Sequence, residues 1–228
     1  MVEKLAIQQF IVRDFHAAEA MKTLRTNLQF SGESVSVVAL TSVSASEGKT
    51  TVSFQLAGSL AQSGKRVLLL DADLRKSVLA ERLRIYEKVE GLSQALTGQR
   101  TVEELIYETD YPGMSIMFAG TRVPNSVELL GSNSFKRIIN TLREKFDYVI
   151  VDAAPLGQVI DCAVFAPVMD GVIMVIDTTR NSYKLERRVK AQLEKSGGKV
   201  LGVVLNRVDF KGRSGYYGKA YGYGYGEE

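Results

Sequence analysis

An α/β fold, a mostly parallel sheet with helices on both faces, is predicted by two observations, and a third says where its function lies. Short apolar runs bounded by turn or charged residues recur along the chain, and amphipathic stretches at helical spacing separate most of them. Polar residues directly follow several of the runs, and in such sheets ligands bind beyond the carboxyl ends of the strands. The runs cover 35–40, 67–70, 115–119, 148–151, 171–176 and 200–205; the helical stretches include 51–63, 127–145 and 182–195. The stretch 76–111 holds several short ambiguous helices, and no internal repeat is found.

Composition removes several chemistries. The 228 residues suffice for one domain core, and they include one Cys and one His. That excludes a Cys/His metal cage, a CxxC redox pair and a disulfide framework, and makes the cell interior the default. Hydrophobic residues at 45% and charged residues at 24% are ordinary for a globular chain. No apolar run approaches the ~18 residues of a membrane helix and no signal peptide is read, so a soluble body is expected. A net charge of +3, dispersed along the chain, does not predict a nucleic-acid partner. The unusual number is ten tyrosines, of which Tyr216, Tyr217, Tyr221, Tyr223 and Tyr225 crowd the end.

The first element is an exposed leader helix from Glu19 to Phe30. Glu19, Lys22 and Arg25 are spaced i, i+3, i+6, which places them within roughly a third of its surface. The first run then ends in Thr41-Ser42-Val43-Ser44-Ala45-Ser46-Glu47-Gly48-Lys49-Thr50-Thr51. Strand, tight loop and helix meet at Gly-Lys-Thr, where free N–H groups and the helix dipole form a phosphate cradle. Lys49 would reach the β- and γ-phosphates and the Thr50 hydroxyl would bind Mg²⁺; Val43 stands where the usual pattern has its first glycine. The second run ends Asp71-Ala72-Asp73-Leu74-Arg75. If extended geometry continues, Asp71 and Asp73 share a face, and paired carboxylates suit a divalent cation or a proton acceptor. Pro124-Asn125-Ser126-Val127-Glu128 reads as a helix-starting box with Asn at the cap. The fourth run adds Asp152-Ala153-Ala154-Pro155, and three such strand endings together predict a Mg²⁺-nucleotide site. Asn206-Arg207 follows the last run, as a strand terminator or a base contact. The segment after Phe210 has no Leu, Ile, Val or Met and is rich in Gly, so it is expected to be a mobile tail. Three units follow: a leader at 1–33, a nucleotide domain at 34–210 and a disordered tyrosine cluster at 211–228.

SEGKTT, LLLDADLR, YVIVDAAP, AGTRVPNSVELL and the terminal tyrosines together resemble the bacterial tyrosine autokinases of capsule and exopolysaccharide synthesis. These BY-kinases occur in a separate-chain form, CpsD/CapB-like, in Gram-positive bacteria, and the resemblance covers nearly the whole chain. It implies a deviant-Walker P-loop NTPase fold related to MinD and ParA, with ATP and Mg²⁺ as cofactors. By position it implies Ser46, Glu47, Gly48, Lys49, Thr50, Thr51 and Asn206 around ATP, the last at adenine. It implies Thr50, Asp71 and Asp152 holding Mg²⁺ directly or through water, and Asp73 as the base for the incoming tyrosine. A carboxylate base is reasonable for a hydroxyl whose free pKa is near 10. The family's Glu-x-x-Arg-x-x-Arg joins subunits in a homo-oligomeric ring as large as an octamer; Glu19, Lys22 and Arg25 occupy its places, with Lys for the first Arg. Two further departures are Ser44 at the position of the MinD-type extra lysine, and Ala153-Ala154 where the family's Walker B usually has Thr or Cys before prolines.

A Gly-rich stretch from Phe210 to Tyr225 spans ~20 Å on average, enough to reach a neighbouring subunit's site. Autophosphorylation of Tyr216, Tyr217, Tyr221, Tyr223 and Tyr225 between subunits is therefore expected. Five phosphates would add roughly −7.5 to −10 in charge, a basis for ring disassembly. The family also implies a membrane adaptor that activates the kinase and holds it peripherally at the inner face of the membrane, and a cognate tyrosine phosphatase. An ATPase of the MinD or ParA type and a nucleotide-gated assembly protein are the rival readings; the missing Ser44-position lysine and the tyrosine tail weigh against the first.

Overall fold

Apolar runs without alternation can be buried only in a sheet covered on both faces, and the central strands of this computed structural model are of that kind. The structure describes residues 4–11, 14–180 and 183–208. The tyrosines at 216–225 lie outside the described residues. The strands are β1 (Val37–Ser42), β2 (Val67–Asp71), β3 (Tyr107–Glu108), β4 (Met114–Met117), β5 (Tyr148–Asp152), β6 (Gly171–Asp177) and β7 (Val200–Asn206). The helices are α1 (Phe15–Gln29), α2 (Lys49–Gln62), α3 (Leu79–Arg82), α4 (Leu92–Leu96), α5 (Ser126–Leu130), α6 (Asn133–Lys145), α7 (Asp161–Phe165) and α8 (Tyr183–Lys195).

The sheet order is β3-β4-β2-β5-β1-β6-β7, parallel except for β3, which pairs antiparallel with β4 at the edge. Alternate residues of each central strand feed opposite cores, as the two-residue period requires. Val38, Leu40, Leu69, Ile150 and Val175 pack with α1 and α2, whereas Ala39, Leu68, Leu70, Val151 and Met174 pack with α6, α7 and α8. The predicted α/β class is what the structure adopts.

Several predicted boundaries move for identifiable reasons. The helix expected over 127–145 is two: Gly131 ends α5, and the Ser132 hydroxyl caps α6 by accepting from the Phe135 amide at 3.2 Å. The helix-starting box is not formed, since Asn125 occupies the cap position of α5 without a side-chain cap hydrogen bond. β4 ends at Met117 because the carbonyls of Phe118 and Ala119 accept from Leu92 and Ser93 of α4 instead of continuing the ladder. The leader helix starts earlier than Glu19, at Phe15, where the Asp14 carboxylate caps it by accepting from Ala17 at 2.9 Å.

That helix is also less exposed than expected. Leu28 is buried, Leu24 packs on the same core, and the Arg25 guanidinium donates to the Ser59 carbonyl of α2 at 2.8 Å. Ahead of it, residues 4–11 run over the same face. Ile7 is fully buried, Leu5 bridges to Thr109, and the Asp110 carboxylate accepts from the amides of Ile7 and Gln8.

Candidate active site

The parallel register brings three strand endings to one rim. β2 and β5 are neighbours with Asp71 opposite Asp152, and β1, between β5 and β6, leads into the loop before α2. Gly48 begins the helix with φ +89°, a left-handed conformation that glycine adopts freely. Ser46, with φ +64°, is an exposed non-glycine residue bent the same way. The buried Glu47 carboxylate accepts from the Val43 amide at 3.0 Å, so the loop is braced where the usual first glycine is replaced.

Lys49 stands at the first position of α2 with its side chain almost fully buried, and its ammonium donates to Asp152 at 2.5 Å. The Thr50 hydroxyl lies 3.5 Å from the same ammonium, and the Ser53 hydroxyl donates to the same Asp152 oxygen at 3.0 Å. Asp71 accepts from the Ser77 hydroxyl and from the Asp73 amide. Burial, reinforced by the charge of Asp152, pushes the Asp71 carboxyl up to about 7. Two adjacent buried carboxylates of this kind have the chemistry to hold a cation.

The residues fit Mg²⁺. The ion usually takes one or two carboxylates, a hydroxyl and substrate phosphates, with water completing its shell. Asp71, Asp152 and Thr50 supply that set, and a closed cage of three or more acidic, His or Cys ligands is absent among the described residues.

Extended geometry does not continue through Asp73. The strand ends at Asp71 and the chain turns, with the buried Asp73 carboxylate accepting from the amides of Arg75 and Lys76 at 3.3 and 2.9 Å. Asp73 thus sits one turn beyond Asp71 at the same rim, held by its own loop. Thr51 departs from the predicted cluster: it is exposed, and its hydroxyl accepts from Arg82 of α3 at 2.5 Å. Asn206 reaches the loop from β7, donating to the Glu47 carbonyl at 2.8 Å, while Arg207 locks the strand end to the buried Asp177 at 2.5 Å.

Glu19 and Lys22 pair with each other along α1 at 2.6 Å, and Arg25 faces α2, so all three already have partners within the chain. Sequence reasoning missed Ser53, Ser77 and Asp177. Ser53 was findable, one helical turn after Lys49; Ser77 carries no signal before the loop folds. Cys162 is buried, and burial pushes its thiol up to about 12, which keeps it unreactive.

A Cβ at position 48 would lie 2.1 Å from the Asn206 amide nitrogen, in a strained backbone. Gly48→Ala is expected to weaken binding of a fluorescent ADP analogue at least ~10-fold while the far-ultraviolet circular dichroism stays unchanged.

Comparison with known proteins agrees with this fold. Residues 35–203 match the family model described as AAA domain. The tyrosine-protein kinase CpsD of Streptococcus agalactiae is 38% identical over 205 residues, covering 88% of this chain and 90% of that protein. The crystal structure of the chimerical protein CapA2B2 superimposes with a TM-score of 0.82 at 29% identity, covering 91% of this chain and 95% of that one. The kinase domain of the Escherichia coli tyrosine kinase ETK does so with a TM-score of 0.78 at 30% identity, covering 88% of this chain and 80% of that one.

Proposed function

Because the chain belongs to the bacterial tyrosine-protein kinases built on the AAA domain, we propose that it phosphorylates its own tyrosine cluster between subunits, regulating capsule or exopolysaccharide polymerisation and export. The observation that carries this reading is the convergence of Lys49, Asp71 and Asp152 at the start of α2, with Asp73 one turn away.

The amides of Gly48, Lys49 and Thr50 cradle the ATP phosphates, and Lys49 shifts from Asp152 to the β- and γ-phosphates. Thr50, Asp71 and Asp152 hold Mg²⁺, which when bound neutralises the phosphate oxygens. Ser46 and Glu47 complete the loop around the nucleotide, Thr51 stays outside it on Arg82, and Asn206 stands by for the base. Asp73 accepts the phenolic proton as a bond forms from the tyrosine oxygen to the γ-phosphorus and the bond to the β-γ bridging oxygen breaks, releasing ADP. With no side-chain hydroxyl or thiol at Ala153 and Ala154, the carboxylate of Asp152 acts without a neighbouring side-chain donor from its own turn.

Glu19, Lys22 and Arg25 form the ring contact by exchanging their internal partners for a neighbour's. Among the described residues no helix is long and apolar enough to cross a membrane. Placement at the inner face of the membrane comes through an adaptor, as the family resemblance implies. A tyrosine phosphatase resets the cluster.

The test is phosphate mapping by mass spectrometry after incubating the full chain with Mg²⁺-ATP and the adaptor's cytoplasmic segment. Phosphotyrosine at 216–225, reduced ~10²–10⁴-fold in Asp73→Asn, is expected. Release of free phosphate without phosphotyrosine would overturn the proposal.

A further inference from the structure

Beside Asp73 the surface opens into a groove of about 380 Å³ lined by Arg75, Arg122, Val123 and Pro124. We propose that this groove is a subsite for a phosphotyrosine flanking the acceptor, so that each phosphorylation primes the next; this rests on the kinase reading above.

Three features of the groove support an anionic aromatic occupant. Arg75 is aimed by a buried relay: its Nε donates to both oxygens of Asp161 at 3.0 and 2.9 Å, and the fully buried Ser126 hydroxyl donates to Asp161 at 2.9 Å. That grip uses one edge of the guanidinium. Its terminal nitrogens make no hydrogen bond among the described residues, so the fork is available to an oxyanion. Arg122 is exposed and has no acidic partner within ion-pair distance among the described residues. Two guanidiniums suit the double charge of a phosphate better than the single charge of a carboxylate. Val123 and Pro124 supply an apolar wall for a ring.

The wall is held rather than floppy. The Leu92 and Ser93 amides donate to the carbonyls of Phe118 and Ala119 at 2.8 and 3.0 Å, and Gln94 donates to the Thr121 hydroxyl at 2.8 Å. With Ser126 tied to Asp161, residues 122–125 are presented from anchors on either side. The other wall adjoins the base, since the Arg75 amide donates to Asp73 at 3.3 Å. Tyr221, Tyr223 and Tyr225 alternate with glycine. In extended backbone, residues two apart lie ~7 Å apart on one face, so one tyrosine can occupy the groove while its neighbour meets Asp73.

The experiment uses, as enzyme, the full chain with its five tail tyrosines changed to Phe, together with the adaptor's cytoplasmic segment. Peptides of sequence 218–228 carry Tyr223 as acceptor, with positions 221 and 225 occupied by Phe, phosphotyrosine or Glu. The phosphotyrosine peptide is expected to have a kcat/KM ~10-fold above the Phe peptide, with the Glu peptide well below it. Arg122→Ala should collapse that ratio toward one, and Arg122→Lys should keep part of it. Equal rates for all three peptides, a Glu peptide as good as the phosphotyrosine peptide, or a ratio untouched by Arg122→Ala would each overturn the subsite while leaving the kinase reading standing. Failure to phosphorylate any peptide would overturn both.

Discussion

A Lys49→Met protein is expected to lose phosphotyrosine formation by ~10²–10³-fold and to melt well below its parent. The rate loss follows from removing a preorganised charge from the phosphates of the transition state. The stability loss follows from what Lys49 holds in this structure: a buried pair with Asp152 at 2.5 Å, close to a second buried carboxylate. Breaking a buried pair by removing one partner costs ~3–5 kcal/mol, and the lower end applies because Ser53 still donates to Asp152. For a chain of this size that is a melting-temperature fall of about 6–12 °C. Lys49 also holds the Asp71 carboxyl down, so its loss pushes Asp71 further up. Scanning fluorimetry beside antiphosphotyrosine blotting reads both effects. Lost activity with an unchanged melting temperature would mean that the pair contributes nothing to the fold.

The opposite sign is expected for Asp71→Asn. The folded chain holds a proton on this carboxyl up to about pH 7, whereas the unfolded chain releases it near 3.8. Between those values the folded state binds more protons, so stability without Mg²⁺ falls as pH rises from about 4 to about 7 and is level above. Asn removes that slope, keeps an oxygen for the Asp73 amide, and should raise stability at pH 8 by an amount on the order of 1–2 kcal/mol. The same change should abolish the gain from Mg²⁺-ADP, which for the parent is ~2.7 kcal/mol at a hundred times the dissociation constant. Melting curves from pH 4 to pH 8, with and without Mg²⁺-ADP, test this. A parent curve that rises with pH across that window would refute it.

What the sequence disclosed depends on range. Gly48-Lys49-Thr50, Asp71 and Asp152 were legible because a parallel strand announces itself as an apolar run, and its function lies in the next residue or two. The bend at Asp73 was not, since the carboxylates that cap it create the turn only once the chain has left the sheet. The break at Gly131-Ser132 hid inside a pattern that keeps helical spacing on both sides. β3 is two residues long and exists through its pairing with β4. The tie from Arg25 to Ser59 and the relay from Ser126 through Asp161 to Arg75 join residues far apart in sequence, and no local pattern encodes such contacts.

The bond from Asn206 to the Glu47 carbonyl spans 159 positions. A ribosome delivers the phosphate loop early and β7 late, and contacts of such long separation close slowly because chain entropy opposes them. The loop therefore waits for its last brace until almost all of the domain has emerged.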